Sequence, residues 1–145
     1  MKIVYRFLLA LHLFVGIGAM AGGLAAILNP QSPMGVPTEA LKYSPFTDFL
    51  IPGLTLFTVI GLGNILCVAL FLFKTKVQGY ISGVISFALI FWIIIQCIML
   101  NDVVFLHVLF FGIGVVQAFL SLAILFERRQ FPTNILIDLY SKLHK

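Results

Sequence analysis

The chain has 145 residues, of which 61% are hydrophobic and only 10% are charged, whereas soluble domains are about a quarter charged. This composition excludes an ordinary soluble domain and indicates a protein of the lipid bilayer. The net charge of +4 does not indicate a nucleic-acid partner, because the nine lysines and arginines lie in short loops and tails beside apolar segments.

Four apolar runs reach the roughly 20 residues that a membrane-spanning helix needs. They lie at about 7–28, 50–73, 80–100 and 103–126, and residues 127–145 form a tail. We therefore predict a single all-α domain over 1–145, built as a four-helix transmembrane bundle. If the N-terminus is cytoplasmic, that side carries eight of the nine basic residues and the outer side only Lys42. This bias predicts a multi-pass cell-membrane protein with both ends in the cytoplasm.

The first apolar run also allows a second interpretation. A basic start followed by apolar residues and AMAG resembles a secretory signal cleaved after Ala21. The apolar run continues through GGLAAIL to full spanning length, which favours a retained helix. Gly18 and Gly22 form a GxxxG pattern, which predicts close helix contact and a face for self-association.

The connection between the first two spans is the one long loop. Three prolines and a glycine in NPQSPMGVP predict an irregular outer strap, followed by a short helix capped by Thr38. Ser44 and Pro45 suit the N-cap and first position of the second helix, and Asp48 would then lie near its positive end. Pro52 predicts a kink close behind.

One polar residue of each span falls at a similar depth, about 8 to 10 Å from the inner surface at a rise of 1.5 Å per residue. These candidates for a buried polar layer are His12, Asn64, Ser86 and Gln117. Each shares a helical face with small residues, which favours an inward orientation. A structural hydrogen-bonded layer is the simpler interpretation, and a polar cavity floor or proton-linked site through His12 is the alternative.

A second polar group is predicted at the outer mouth of the bundle. Its members are Asp48, Gln96, Asp102, His107 and, one turn deeper, Trp92. A single histidine beside carboxylates lacks the spacing of a metal site, so we predict capping or salt-bridge roles and no metal. His12 and His107 differ in depth by roughly 15 Å, which excludes a haem with two axial histidines, and no cofactor is predicted.

Several phenylalanines crowd the outer half, where the strap and a kinked second helix would roof an apolar pocket for a lipid, quinone or other lipophile. They are Phe46, Phe49, Phe105, Phe110 and Phe111. Cys67 and Cys97 differ in depth by roughly 16 Å and are predicted to remain unbridged.

The tail after the fourth span carries an amphipathic pattern. Ile135, Leu136, Leu139 and Leu143 share one helical face behind Pro132. We predict a short C-terminal helix capped by Thr133 or Asn134, lying in the inner membrane interface or docking a partner.

The segments GAMAGGLAAILNP, MGVP, SPFTDFLIPGLTLFTVIGLGN and FWIIIQ resemble those of small bacterial four-span membrane proteins, similar in topology to the DoxX-like group. The resemblance covers about residues 10–117, and SPFTDFLIPG is its most specific piece. It implies a four-helix bundle with both ends cytoplasmic. It also implies an accessory role in electron-transfer or redox complexes, although no ligand residue of that group matches this chain.

Three functional hypotheses follow. The preferred one is a non-enzymatic accessory or lipophile-binding protein, self-associated or bound to a membrane partner subunit. The second is a small transporter or proton-linked carrier that uses His12, Asn64 and Gln117. The third is a membrane enzyme that uses Asp48, Asp102 and His107, which requires these groups to lie within hydrogen-bond reach around a cleft.

Overall fold

The computed structural model describes residues 1–144, and these contain helices and loops but no β-strand. Four long helices are apolar enough to cross a bilayer: α1 (Lys2–Leu28), α2 (Leu50–Leu72), α3 (Gln78–Leu100) and α4 (Phe105–Glu127). A shorter helix, α5 (Thr133–Leu143), follows. The predicted all-α four-helix bundle with a C-terminal helix is confirmed.

The helices pack as two antiparallel pairs, α1 with α2 and α3 with α4, and the two pairs lie against each other. We call the end that carries Met1 and the start of α5 the terminal end, and the opposite end, which carries residues 29–49, the strap end. A cluster of Leu8, Phe71 and Ile124 fills the core at the terminal end. At the strap end, Ala26, Leu41, Phe49 and Met99 form the corresponding cluster.

The strap contains two short 3-10 segments, Pro33–Gly35 and Thr38–Leu41. Phe49 N–H donates to the carbonyl of Pro30 at 2.9 Å, which closes the loop at its base. The predicted cap at Thr38 is wrong, because Pro37 occupies the N-cap and no side chain caps the segment. Leu41 is only 2% exposed, so burial of this side chain anchors the strap.

The span of α2 begins near the predicted residue 50, but the predicted N-cap at Ser44 is wrong. Ser44 caps a local turn instead, donating to Leu41 O at 2.9 Å and accepting from Phe46 N–H at 3.2 Å. The helix begins at Leu50, whose N–H donates to the Asp48 carboxylate at 2.9 Å. Pro52 therefore lies in the first turn, where a missing N–H breaks no intrahelical hydrogen bond, and the expected kink has no cause.

The distortion of α2 lies one turn further on, over Leu56–Leu62, where the backbone forms a π-helix. Its hydrogen bonds span five residues instead of four, so the segment is wider than an α-helix. Gly61 lies inside it, and a Cβ at this position would approach Met20 of α1 to 2.7 Å. The pattern of apolar residues did not predict this segment.

Close helix contact occurs at glycines other than the predicted Gly18 and Gly22. A Cβ at Gly23 would lie 2.7 Å from Phe57 N and 2.8 Å from Gly53 O, so α1 and α2 approach here backbone to backbone. At Gly18 and Gly22, the nearest atoms would be 3.5 Å away, which is ordinary contact. The tight seam therefore contains Gly23, whereas Gly18 and Gly22 make only ordinary contacts.

Helix α5 leaves its apolar face uncovered within the described residues. Ile135, Leu136, Leu139 and Leu143 are each more than half exposed. The predicted side-chain cap is absent, because Pro132 is the N-cap. Thr133 Oγ1 instead lies 2.8 Å from Leu125 O and 2.6 Å from Gln130 O, which ties the start of α5 to the end of α4.

Candidate functional site: a buried polar layer beneath an apolar cavity

The polar layer is centred on the imidazole of His12, which is fully buried. Its Nδ1 lies 2.6 Å from Asn64 Oδ1 and its Nε2 lies 2.7 Å from Ser82 Oγ. Gln117 Nε2 lies 3.2 Å from His12 Nδ1 and 3.4 Å from Asn64 Oδ1. Ser82 Oγ continues to Ser121 Oγ at 2.6 Å. Hydrogen bonds in this layer thus connect all four spanning helices.

The structure brings together three of the four residues predicted for this layer. Ser86 is also fully buried, but its hydroxyl donates to Ser82 O within its own helix at 2.6 Å. Ser82 contacts the imidazole in its place, and Ser121 was likewise missed. Both lie four residues from a predicted member, so depth and helical spacing alone could not separate the alternatives.

Hydrogen positions in the layer follow from the amide of Asn64. Its Nδ2 donates to Ile60 O at 2.7 Å, so Oδ1 faces His12 and must accept from Nδ1–H. In a neutral ring, Nε2 then accepts from the Ser82 hydroxyl. The Ser121 hydroxyl, which lies 2.7 Å from Gln117 O, is consequently shared between that carbonyl and Ser82 Oγ. This one hydroxyl hydrogen therefore faces two acceptors.

One polar atom of the layer remains without a partner. Gln117 Oε1 accepts no hydrogen bond, and the whole residue is inaccessible to solvent, so water cannot replace the missing partner. An unpaired buried carbonyl costs about 1–3 kcal/mol.

An apolar cavity of about 250 Å³ lies on the strap side of this layer. All four spanning helices line it, for example through Gly22, Leu56, Trp92 and Phe110, and Met34 reaches it from the strap. Its walls also include Val15, Ile60 and Leu89, each at most 1% exposed. These three lie within one turn of His12, Asn64 and Ser86, so an apolar floor separates the cavity from the polar layer.

Three members of the predicted outer-mouth cluster, Trp92, Gln96 and His107, line this cavity. The indole of Trp92 is 7% exposed, and its Nε1–H is buried with no hydrogen-bond partner. His107 is 8% exposed, and its Nδ1 accepts from Val104 N–H at 3.2 Å. In the neutral ring the hydrogen is therefore on Nε2.

The two carboxylates of that cluster serve other purposes. Asp48 Oδ1 accepts from Leu50 N–H at the start of α2, as described above, and Asp102 Oδ1 accepts from Val103 N–H at 2.8 Å. Neither lines the cavity. Within residues 1–144, no hydrogen bond joins Asp48, Asp102 and His107, and no group of three metal-ligating side chains occurs.

An open groove of about 540 Å³ runs along the outer face between α3 and α4. Ile93 and His107 line both this groove and the cavity. The groove is otherwise formed mainly by apolar residues, including Ile94, Val108 and Phe111. His107 therefore stands between the lipid-facing surface and the interior of the bundle.

The phenylalanines predicted to roof an apolar pocket divide among four places. Phe110 lines the cavity and Phe111 the groove. Phe46 and Phe49 instead pack with Leu41 beneath the strap, and Phe105 is 76% exposed. Cys67 and Cys97 are both free thiols, as predicted.

Four apolar helices around a polar layer and an apolar cavity define the class of this protein as a polytopic helical membrane protein. No family model, no curated protein and no solved structure matches the chain.

Proposed function

We propose that the protein binds a lipophilic molecule in the cavity between the strap-end halves of its four helices. The unpaired indole N–H of Trp92 carries this proposal, because a buried donor without a partner costs about 1–3 kcal/mol. A ligand oxygen that accepts this hydrogen bond would remove the cost. The expected ligand is therefore apolar and carries a carbonyl or similar acceptor, as a quinone or an acylated lipid does.

The size of the cavity is consistent with such a ligand. An apolar cavity of about 150 Å³ is known to hold a benzene-sized molecule, and the cavity here measures about 250 Å³. One ring or headgroup fits inside, while a longer chain would leave through the groove between α3 and α4. His107 lies at that exit and supplies a second N–H donor, Nε2–H, to the cavity wall.

The test uses protein purified in mild detergent and extracted for mass spectrometry. Wild-type protein is expected to retain a carbonyl-bearing lipophile in near-stoichiometric amount. Trp92→Phe preserves most of the aromatic volume and removes the N–H, so retention is expected to fall about tenfold, the equivalent of one hydrogen bond.

A second pair of variants tests the location of the ligand. Gly22→Leu places a side chain at the cavity wall, whereas Gly112→Leu places the same side chain in open space on α4. Only Gly22→Leu should expel the lipophile. Retention by Gly22→Leu at the wild-type level, or wild-type protein that purifies without any lipophile, would contradict the proposal.

The proposed setting is the cell membrane, with both termini in the cytoplasm. The concentration of basic residues at the terminal end supports this orientation. The resemblance to the DoxX-like group and the uncovered apolar face of α5 support an accessory role beside a partner subunit.

The proposed orientation can be tested with a reporter protein that is active only in the cytoplasm. Fused to either terminus, this reporter should be active.

The proton-linked carrier remains a second candidate because Gln117 Oε1 is unpaired beside an imidazole that hydrogen-bonds to α2 and α3. Transport through this layer would require the floor of Val15, Ile60 and Leu89 to open. If the protein is a carrier, His12→Ala should abolish pH-dependent uptake into vesicles, and unchanged flux would eliminate this candidate.

The enzyme hypothesis lacks the contact among Asp48, Asp102 and His107 that it needs.

A further inference from the structure

A second cavity, unrelated to the lipophile site, opens at the terminal end of the bundle. This basic cleft has a volume of about 770 Å³. Four cationic side chains from three separate segments line it, together with one acid and one buried aromatic ring: Lys2, Arg6, Lys74, Arg128, Glu127 and Phe71. The four positively charged side chains outnumber the single acid by three, so an anion is the favoured occupant.

Arg128 is held in position by the walls of the basic cleft. Its Nε donates to Tyr5 Oη at 3.0 Å and its Nη1 to Thr75 O at 3.3 Å. With the Gln78 amide oriented to donate to Leu70 O at 3.2 Å, the amide oxygen accepts from Arg128 Nη2 at 2.8 Å. A guanidinium has five N–H groups, so two remain after these three bonds. A fixed guanidinium with free donors suits the oxygens of a phosphate.

The surroundings of the basic cleft distinguish a lipid from a soluble anion. Exposed apolar side chains lie on the helix surfaces beside it: Leu72 is 64% exposed, Phe73 80% and Phe7 51%. These surfaces can accommodate acyl chains while the cationic groups hold the headgroup. Helix ends are also where a bilayer presents its headgroups.

We propose that the basic cleft binds the phosphate of an anionic phospholipid. Arg128 is the fixed ligand, and Arg6 and Lys74 add charge from the other walls. Anionic lipids concentrate in the cytoplasmic leaflet, which agrees with the proposed orientation of the termini. The site does not depend on the lipophile cavity, which lies in the opposite half of the bundle.

The chain provides a matched control for this site. Lys76 lies two residues from Lys74, and Arg129 follows Arg128, yet neither lines the basic cleft. The variant Arg6→Gln/Lys74→Gln and the control Lys76→Gln/Arg129→Gln therefore remove the same charge from the same end of the protein. All four side chains are exposed, so both double variants are expected to fold. Thermal unfolding verifies this.

The protein is placed in nanodiscs of phosphatidylglycerol and phosphatidylcholine and then washed in graded steps. Native mass spectrometry measures how much phosphatidylglycerol each protein molecule retains. Arg6→Gln/Lys74→Gln is expected to retain phosphatidylglycerol about tenfold less well than wild type. The control should remain within about twofold of wild type. Glycerol phosphate, which has no acyl chains, should not displace the bound lipid.

Equal losses from the two double variants would overturn the proposal, because they would show diffuse surface attraction without a site. Displacement by glycerol phosphate at the affinity of the lipid would also overturn it, in favour of a soluble phosphate site. If Arg6→Gln/Lys74→Gln unfolds, the single variants Arg6→Gln and Lys74→Gln are compared with Arg129→Gln and Lys76→Gln under the same criteria.

Discussion

Replacing Gly23 with alanine is expected to destabilise the bundle by about 3 kcal/mol, the upper range for overpacking of a tight core. The added Cβ would lie 2.7 Å from Phe57 N and 2.8 Å from Gly53 O. Neither backbone atom can move away without separating α1 from α2. Thermal unfolding in detergent, followed by circular dichroism, should show a clearly lowered midpoint.

Gly112 is the matched control for this substitution. It also lies within a spanning helix, and a Cβ there would meet nothing within 4 Å. Gly112→Ala should leave the unfolding midpoint unchanged or raise it slightly, because alanine has the higher helix propensity. Equal midpoints for Gly23→Ala and Gly112→Ala would show that α1 and α2 do not approach as closely as described.

Replacing His12 with alanine is expected to cost about 2–4 kcal/mol, because it removes a buried ring and leaves its partners unsatisfied. Asn64 Oδ1 and Ser82 Oγ would lose contacts of 2.6 and 2.7 Å in a region without solvent access. The free energy of unfolding, obtained by denaturation in mixed micelles, measures this effect.

Ser86→Ala provides the comparison, since Ser86 is equally buried but bonds only to a carbonyl of its own helix. Its loss should cost less than about 1 kcal/mol. If His12→Ala were as mild as Ser86→Ala, the hydrogen bonds of the layer would contribute nothing beyond packing. In that case the imidazole would require a role other than holding the four helices in register.

The sequence was sufficient to place the four spans and the depth of the polar layer. Hydropathy determines which segments are helical in lipid, because every backbone polar group must be satisfied within the segment. A fixed rise per residue then places His12, Asn64 and Gln117 at one level. The inward orientation followed from the cost of placing amides and imidazole against lipid tails.

Other features were not readable from the sequence, for identifiable reasons. Ser82 and Ser86 lie one turn apart on one face, so the choice between them depends on the relative shift of α1 and α3. Ser44 and Asp48 are both good capping residues by type, yet the N-cap of α2 is Phe49, which neither capping preference nor hydropathy indicates. Gly18 and Gly23 lie on different faces of α1, and only the face of Gly23 packs tightly against α2. A GxxxG pattern alone does not identify that face.

The unpaired N–H of Trp92 was also not predictable from the sequence. The sequence places a tryptophan near the outer mouth, where an indole ordinarily lies at the interface with its N–H in water. Only the packing shows that this ring is 7% exposed and that its N–H is buried without a partner.

The π-helical segment of α2 has a consequence for how the protein tolerates changes in length. A hydrogen bond from residue i to i+5 encloses one more residue than the i to i+4 bond of an α-helix, so Leu56–Leu62 holds a surplus residue. Deleting one amino acid there would let this segment become a regular α-helix, and the parts of α2 on either side would keep the same faces toward the bundle. Elsewhere in a span, the same deletion would rotate everything beyond it by about 100° and turn Asn64 or its counterparts toward the lipid.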